Sequence, residues 1–91
     1  MYQLRYSKQA LKQLHKLDKP TRIILIKWIE HNLLNCGNPY TIPRYKELKG
    51  NLSNYIRYRV GNYRIICTVF EQILTIEIVS VGHRKEVYRQ K

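Results

Sequence analysis

Three features of the sequence predict an α+β fold: an N-terminal strand, a hairpin of two helices, then an antiparallel three-stranded meander. Apolar residues recur at helical spacing from Ala10 to Leu34. From Tyr55 to Val81 they alternate instead, in three short runs. Between the first two runs stands Gly61-Asn62, a pair that tolerates the positive φ of a two-residue hairpin turn.

The elements follow in order. Tyr2-Gln3-Leu4-Arg5-Tyr6 alternates and predicts a short strand. Ser7 can cap a helix to about Leu17, with Ala10, Leu11, Leu14 and Leu17 on one face. Lys8, Lys12 and Lys16 form a stripe on another face, which reads as solvated. Asp18 or Lys19 precedes Pro20, a residue suited to a first helical turn. The second helix carries Ile23, Ile24, Leu25, Ile26, Trp28, Ile29, Leu33 and Leu34, almost apolar all round, and is expected to be the best-buried helix. Asn35-Cys36-Gly37-Asn38-Pro39 stops it. Residues 38–54, rich in Pro, Gly and Asn, read as an irregular connection. Its Tyr40 and Tyr45 among cations suit either base stacking or a lid over the core.

Strands are predicted at about 55–60, 63–70 and 73–81, the last two joined at Glu71-Gln72. The Gly61-Asn62 turn pairs Val60 with Tyr63, Arg59 with Arg64, and Arg57 with Ile66. Ile56, Tyr58, Val60, Tyr63, Ile65, Cys67 and Val69 then share an apolar face, and Arg57, Arg59 and Arg64 converge on the other. Like charges opposite one another destabilise a sheet, so this arrangement points to a bound anion, a phosphate first of all. The competing reading is a solvated face neutralised by Glu77. A second tight turn would pair Val69 with Leu74, Cys67 with Ile76, Ile65 with Ile78 and Arg64 with Val79. That register brings His83 and Arg84 out beside Arg59 and Arg64.

The 91 residues suit a single domain spanning 1–91, and a hydrophobic fraction of 44% suits a packed core rather than a disordered tail. Seventeen Lys and Arg against six Asp and Glu give a net charge of +11, which favours nucleic acid, an anionic surface or an acidic protein partner. No apolar run reaches the length of a membrane span, and no secretory signal pattern opens the chain. A cytoplasmic protein is expected. Cys36 and Cys67 are too few and too far apart for a disulfide framework or a metal site, and read as reduced thiols. No metal or other cofactor is expected.

The run Tyr55 to Tyr63-Arg64, Glu47-Leu48-Lys49-Gly50, Ser80-Val81-Gly82-His83-Arg84 and Val87-Tyr88 together resemble the RelE/ParE toxin superfamily of toxin–antitoxin systems, across essentially the whole chain. The resemblance implies a RelE-like microbial ribonuclease fold, cleavage of messenger RNA in the ribosomal decoding site, and a cognate antitoxin. In RelE-type members the site has two basic residues on one strand, the arginine of a Tyr-Arg pair, an arginine after the final strand and a C-terminal tyrosine. Arg57 and Arg59, Arg64, Arg84 and Tyr88 are the counterparts here. RelE itself carries lysines where this chain has Arg57 and Arg59, and an arginine makes a poor general base. Other members use a glutamate before that strand and a C-terminal histidine; His83 resembles the histidine, and Glu47 lies near the glutamate's place, offset by a position.

The expected catalytic set is therefore Arg59, Arg64, His83, Arg84 and Tyr88, with Arg57, Lys49 and Tyr45 binding RNA and no metal. The ribose 2′-hydroxyl would lose its proton to a general base as its oxygen attacks the adjacent phosphorus, and the next 5′-oxygen would leave. Arg64 and Arg59 would meet the growing phosphorane charge, and His83 would protonate the leaving oxygen. His83, Glu47 and Glu77 all remain candidate general bases. An acidic antitoxin, joined to the toxin in a hetero-oligomer, is the expected protein partner, with mRNA and the ribosome as the other partners. Two alternatives come from other classes: a ParE-like inhibitor of DNA gyrase acting by protein binding, and a non-catalytic RNA-binding module.

Overall fold

The computed structural model describes residues 1–43, 45–48 and 55–83. Strand β1 (Gln3–Tyr6) leads to helix α1 (Lys8–Lys16) and helix α2 (Lys19–Leu33). After a 3-10 turn at Pro39–Thr41 come β2 (Tyr45–Glu47), β3 (Ile56–Val60), β4 (Tyr63–Phe70) and β5 (Thr75–His83). The five strands form one sheet in the order β1-β5-β4-β3-β2, with β1 parallel to β5 and every other pair antiparallel. The expected fold class, helix hairpin and meander are all present. The parallel edge strand makes the sheet mixed, and the connection expected to be irregular supplies an extra strand, β2.

Local chemistry explains both helix starts. The Ser7 hydroxyl accepts the Ala10 N–H at 3.0 Å and donates to the Val79 carbonyl at 2.8 Å, so one side chain caps α1 and ties it to β5. Asp18 accepts from the Thr21 N–H at 3.2 Å and hydroxyl at 3.0 Å, and Pro20 occupies the first turn of α2. These bonds hold the Asp18 carboxyl below its ordinary pKa. Asn35, at φ 61°, turns the chain beyond α2, where Asn35 and Cys36 exchange backbone bonds with Tyr2.

The core lies between the helices and one sheet face. Ala10 and Leu14 of α1, with Leu25, Ile29 and Leu33 of α2, pack on Ile56, Tyr58, Ile65, Cys67, Ile76, Ile78 and Val81. Leu25, Ile29 and Leu33 recur every four residues, a single stripe, because α2 has one sheet face to cover. Ile24 is consequently 61% exposed, and Ile23 and, on α1, Leu11 are exposed too. The sequence of α2 is apolar nearly all round, yet its buried residues are this one stripe.

The β3–β4 hairpin has the expected register, with Arg59 opposite Arg64, and Gly61 takes the positive φ of 59°. The β4–β5 register differs. The chain turns through a 3-10 segment at Glu71–Ile73 and a left-handed Leu74, not through Glu71-Gln72 alone. Val69 therefore opposes Ile76, and Cys67 opposes Ile78. This two-residue shift preserves the faces. A bulge then breaks the ladder: Cys67 pairs with Ile78 but Ile66 pairs with Ser80, leaving Val79 without a partner on β4. Val79 is the residue whose carbonyl accepts the Ser7 hydroxyl. One extra residue reverses the facing of everything beyond it. Ile65 consequently opposes Val81, Arg64 opposes Gly82 rather than Val79, and Tyr63 opposes His83.

Candidate functional site

The sheet face turned away from the helices carries Arg57, Arg59 and Arg64, each half-buried. Ile66 shares a rung with Arg57 and is only 6% exposed on a face that neither described helix covers. Long arginine stems can shield apolar surface of this kind. The Nε atoms of Arg57 and Arg59 are buried without a hydrogen-bond partner. Gly82 fills the rung on the other side of Arg64. Glu77 does not neutralise the cluster. Its carboxylate meets Arg5 at 3.0 Å, at the Thr68 rung, and the Arg5 guanidinium also stands 4.9 Å over the Phe70 ring.

Strand β2 settles the facing of the residues before the hairpin. Tyr45 opposes Tyr58, Lys46 opposes Arg57 and Glu47 opposes Ile56. Tyr58 and Ile56 belong to the core face, so Tyr45 and Glu47 project with them, away from the arginines. The Tyr45 hydroxyl donates to Glu47 at 2.6 Å, and its ring lies among Tyr40 and Tyr58, with Trp28 beyond. The Tyr40 hydroxyl donates to Glu71 at 2.9 Å, and that of Tyr58 to the Pro39 carbonyl at 2.5 Å. Burial, then the bonded carboxylate, pushes Tyr45 and Tyr40 up to about 12; burial also pushes Tyr58 upward. Of the two readings of these tyrosines, the lid over the core matches the geometry. Lys46, passed over as one cation of a loop, instead joins the arginine face. No local pattern marks it, because β2 is three residues long and owes its existence to pairing with β3.

His83 also lies elsewhere than its expected register placed it. The bulge puts its ring on the core side, edge-on to Tyr63 at 5.7 Å. With Gln13, Lys16, Leu17, Tyr63, Val81 and Gly82 it lines a cleft of about 250 Å³ beside α1. Gln13 accepts the Val81 N–H at 2.6 Å and the Ser80 hydroxyl at 3.2 Å, which fixes α1 against the bulged strand. His83 and Arg64 thus occupy neighbouring rungs on opposite sides of one strand end. Lys49, Arg84 and Tyr88 fall outside the described residues. Cys36 and Cys67 are free thiols, and burial raises the pKa of both. Among the described residues no set of three His, Cys, Asp or Glu side chains converges to hold a metal ion.

Comparison with known proteins identifies relatives along nearly the full length. Residues 4–88 match the family described as the ParE toxin of type II toxin–antitoxin system, parDE. A RelE-like toxin protein of Escherichia coli is 34% identical over 85 residues, covering 92% of this chain and 84% of its own. Toxin RelG of Mycobacterium tuberculosis is 28% identical over 93 residues, covering 98% of both chains. Among solved structures, the toxin–antitoxin complex RelBE2 of Mycobacterium tuberculosis superposes with a TM-score of 0.80 at 25% identity, covering 93% of each chain. The RelB–RelE antitoxin–toxin complex of Methanococcus jannaschii gives 0.63 at 34% identity, covering 94% of this chain and 96% of its own.

Proposed function

The chain belongs to the RelE/ParE family, as the RelE-like toxin of a type II toxin–antitoxin system, and from that premise we propose that it is a metal-independent endoribonuclease that cuts messenger RNA on the ribosome. The observation that carries the reading is the convergence of Arg57, Arg59 and Arg64 on a face without a free carboxylate among the described residues. In the proposed reaction the ribose 2′-hydroxyl gives up its proton to solvent as its oxygen attacks the adjacent phosphorus. The bond to the 5′-oxygen of the next nucleotide breaks, leaving a 2′,3′-cyclic phosphate and a 5′-hydroxyl. Charge grows on the phosphorane oxygens, and cations already fixed by the sheet stabilise it without reorganising. Arg64 spans two of those oxygens, Arg59 assists, and Arg57 grips a flanking phosphate.

His83 is the proton donor to the leaving oxygen in this reading, reaching it around the strand end. Arg84 stabilises the same end, Tyr88 stacks on or orients a base, and Lys49 contributes to phosphate binding. Glu47 and Tyr45 stand on the other face, and Glu77 is held by Arg5, so the geometry favours none of them as the base or an RNA contact. The partner is an acidic, amphipathic antitoxin that covers part of the cationic face in a cytoplasmic hetero-oligomer; complementary charge speeds such an encounter. RelB–RelE complexes among the similar structures support that partner.

The test is incubation with translating ribosomes followed by mapping of RNA 5′ ends. The parent protein should cut within the decoding site, and folded Arg64→Ala should not. Full cleavage by folded Arg64→Ala sinks the assignment. A second reading, inhibition of DNA gyrase by protein binding, is favoured by the matched ParE description. It requires loss of gyrase supercoiling at toxin concentrations that leave ribosomal mRNA intact.

A further inference from the structure

We propose that Lys46 holds a second phosphate of the same RNA strand, so that the strand crosses the sheet from the Arg64 rung toward the β2 edge. This deepens the RNA-cleavage reading and rests on it. Lys46 is exposed and directly opposite Arg57 on the arginine face, because its neighbours Tyr45 and Glu47 project to the core side. The sheet thereby sets four cations in a zigzag: Arg64 on β4, Arg59 across from it on β3, Arg57 two residues along β3, and Lys46 across from that on β2.

Strand spacing of about 4.8 Å and a rise of about 3.4 Å per residue place the backbone of Lys46 roughly 12 Å from that of Arg64. A stacked nucleic-acid strand advances only about 3.4 Å along its axis per nucleotide. Lys46 and Arg64 therefore address different phosphates. Among the described residues, neither Glu47 nor Glu77 is available to Lys46: Glu47 accepts the Tyr45 hydroxyl on the other face, and Glu77 is held by Arg5. The residue types divide accordingly. The planar guanidinium of Arg64 matches two oxygens of the phosphate that reacts, whereas a flexible ammonium suits a phosphate that is only held. The competing role for an edge-strand lysine is to repel another strand from pairing, which requires no RNA contact.

The probe is a short single-stranded RNA with 2′-O-methyl riboses, which cannot cleave, and a series in which one phosphate at a time is a neutral methylphosphonate. Binding of the parent protein, Lys46→Ala, Lys46→Arg and Arg64→Ala is measured by fluorescence anisotropy across a salt series. Lys46→Ala should bind the unmodified RNA about fivefold more weakly at low salt and lower the salt slope by about 0.7. It should also become indifferent to the methylphosphonate at one position that weakens the parent, and Lys46→Arg should restore both properties. If Arg64→Ala binds as tightly as the parent, the arginine face is not the RNA site and the Lys46 assignment falls with it. If Arg64→Ala is weakened but Lys46→Ala binds normally, or stays sensitive to every methylphosphonate, then Lys46 is an edge charge only. The assignment is then overturned while the arginine face stands.

Discussion

The two faces of this sheet follow opposite rules. Toward the helices, Tyr58, Ile65, Cys67, Ile76 and Ile78 are fully buried, and the one phenol among them has a carbonyl for its hydroxyl. Away from the helices, Arg59 stands directly opposite Arg64, an arrangement that lowers sheet stability. The difference separates the two tasks. Apolar burial on one face holds the strands rigidly enough for the other to keep like charges close, and that preorganisation is what a developing phosphorane charge requires.

If this separation is right, substitutions on the two faces should damage different properties. Arg64→Ala should have the largest effect, lowering single-turnover cleavage on ribosomes by about 10²–10³-fold, the usual loss when a preorganised charge stabiliser is removed. Arg59→Ala should cost less cleavage and leave the melting temperature unchanged or raised, since it removes a like-charge opposition. On the helix side, Ile29→Ala opens a hole beside a fully buried position and should cost about 2–5 kcal/mol in urea unfolding. Cleavage per folded molecule should be untouched. A core variant that stays folded yet loses cleavage would show that the faces are coupled.

His83 tests the boundary between the faces, because its ring lies on the core side at the strand end where Arg64 occupies the other. As a general acid it should contribute to the cleavage step, and His83→Ala should cut the single-turnover rate by about tenfold. Ribosome affinity should change little. An unaltered rate would show that the histidine takes no part in the chemistry. On the same boundary, Ser7→Ala removes both the α1 cap and the bond to the bulged Val79 carbonyl, and should cost about 1–2 kcal/mol of stability.

What the sequence disclosed followed from where its information was local. Gly61 announces a positive φ, so the β3–β4 register and the arginine triad could be read from the turn alone. The next turn carries no such mark. Leu74 adopts φ 46° without being Gly or Asn, and nothing in Ile78-Val79-Ser80 advertises a bulge. Gly82 is the one hint, since a glycine inside a strand often accompanies a bulge. The bulge changes facing only at the far end of β5, where His83 lies on the side opposite to the one that regular alternation predicts. Strand β2 is hidden for another reason: residues 45–47 follow closely on Pro43 and are too few to show alternation, and only pairing with β3 makes them a strand. No local pattern therefore assigns Tyr45, Lys46 and Glu47 to a face.

The smallest expected effect is that of Tyr45→Phe, and it bears on both faces. The variant keeps the ring that packs among Tyr40 and Tyr58 and loses only the hydroxyl bond to exposed Glu47. One such bond is worth about 0.5–1.5 kcal/mol, with the lower end expected at an exposed carboxylate. Its pH dependence has a definite sign. The folded protein keeps the Tyr45 phenol protonated up to about 12 against an ordinary 10.0, so its contribution is complete below pH 10 and is lost as pH rises through 12. Tyr40 acts in the same window through Glu71, so the parent should lose stability steadily above pH 10, and Tyr45→Phe should lose it less steeply. Cleavage at neutral pH should stay within about twofold of the parent, because Tyr45 faces away from the arginines. A larger drop would mean that RNA reaches the tyrosine rim, and the division of labour between the two faces would have to be redrawn around the β2 edge.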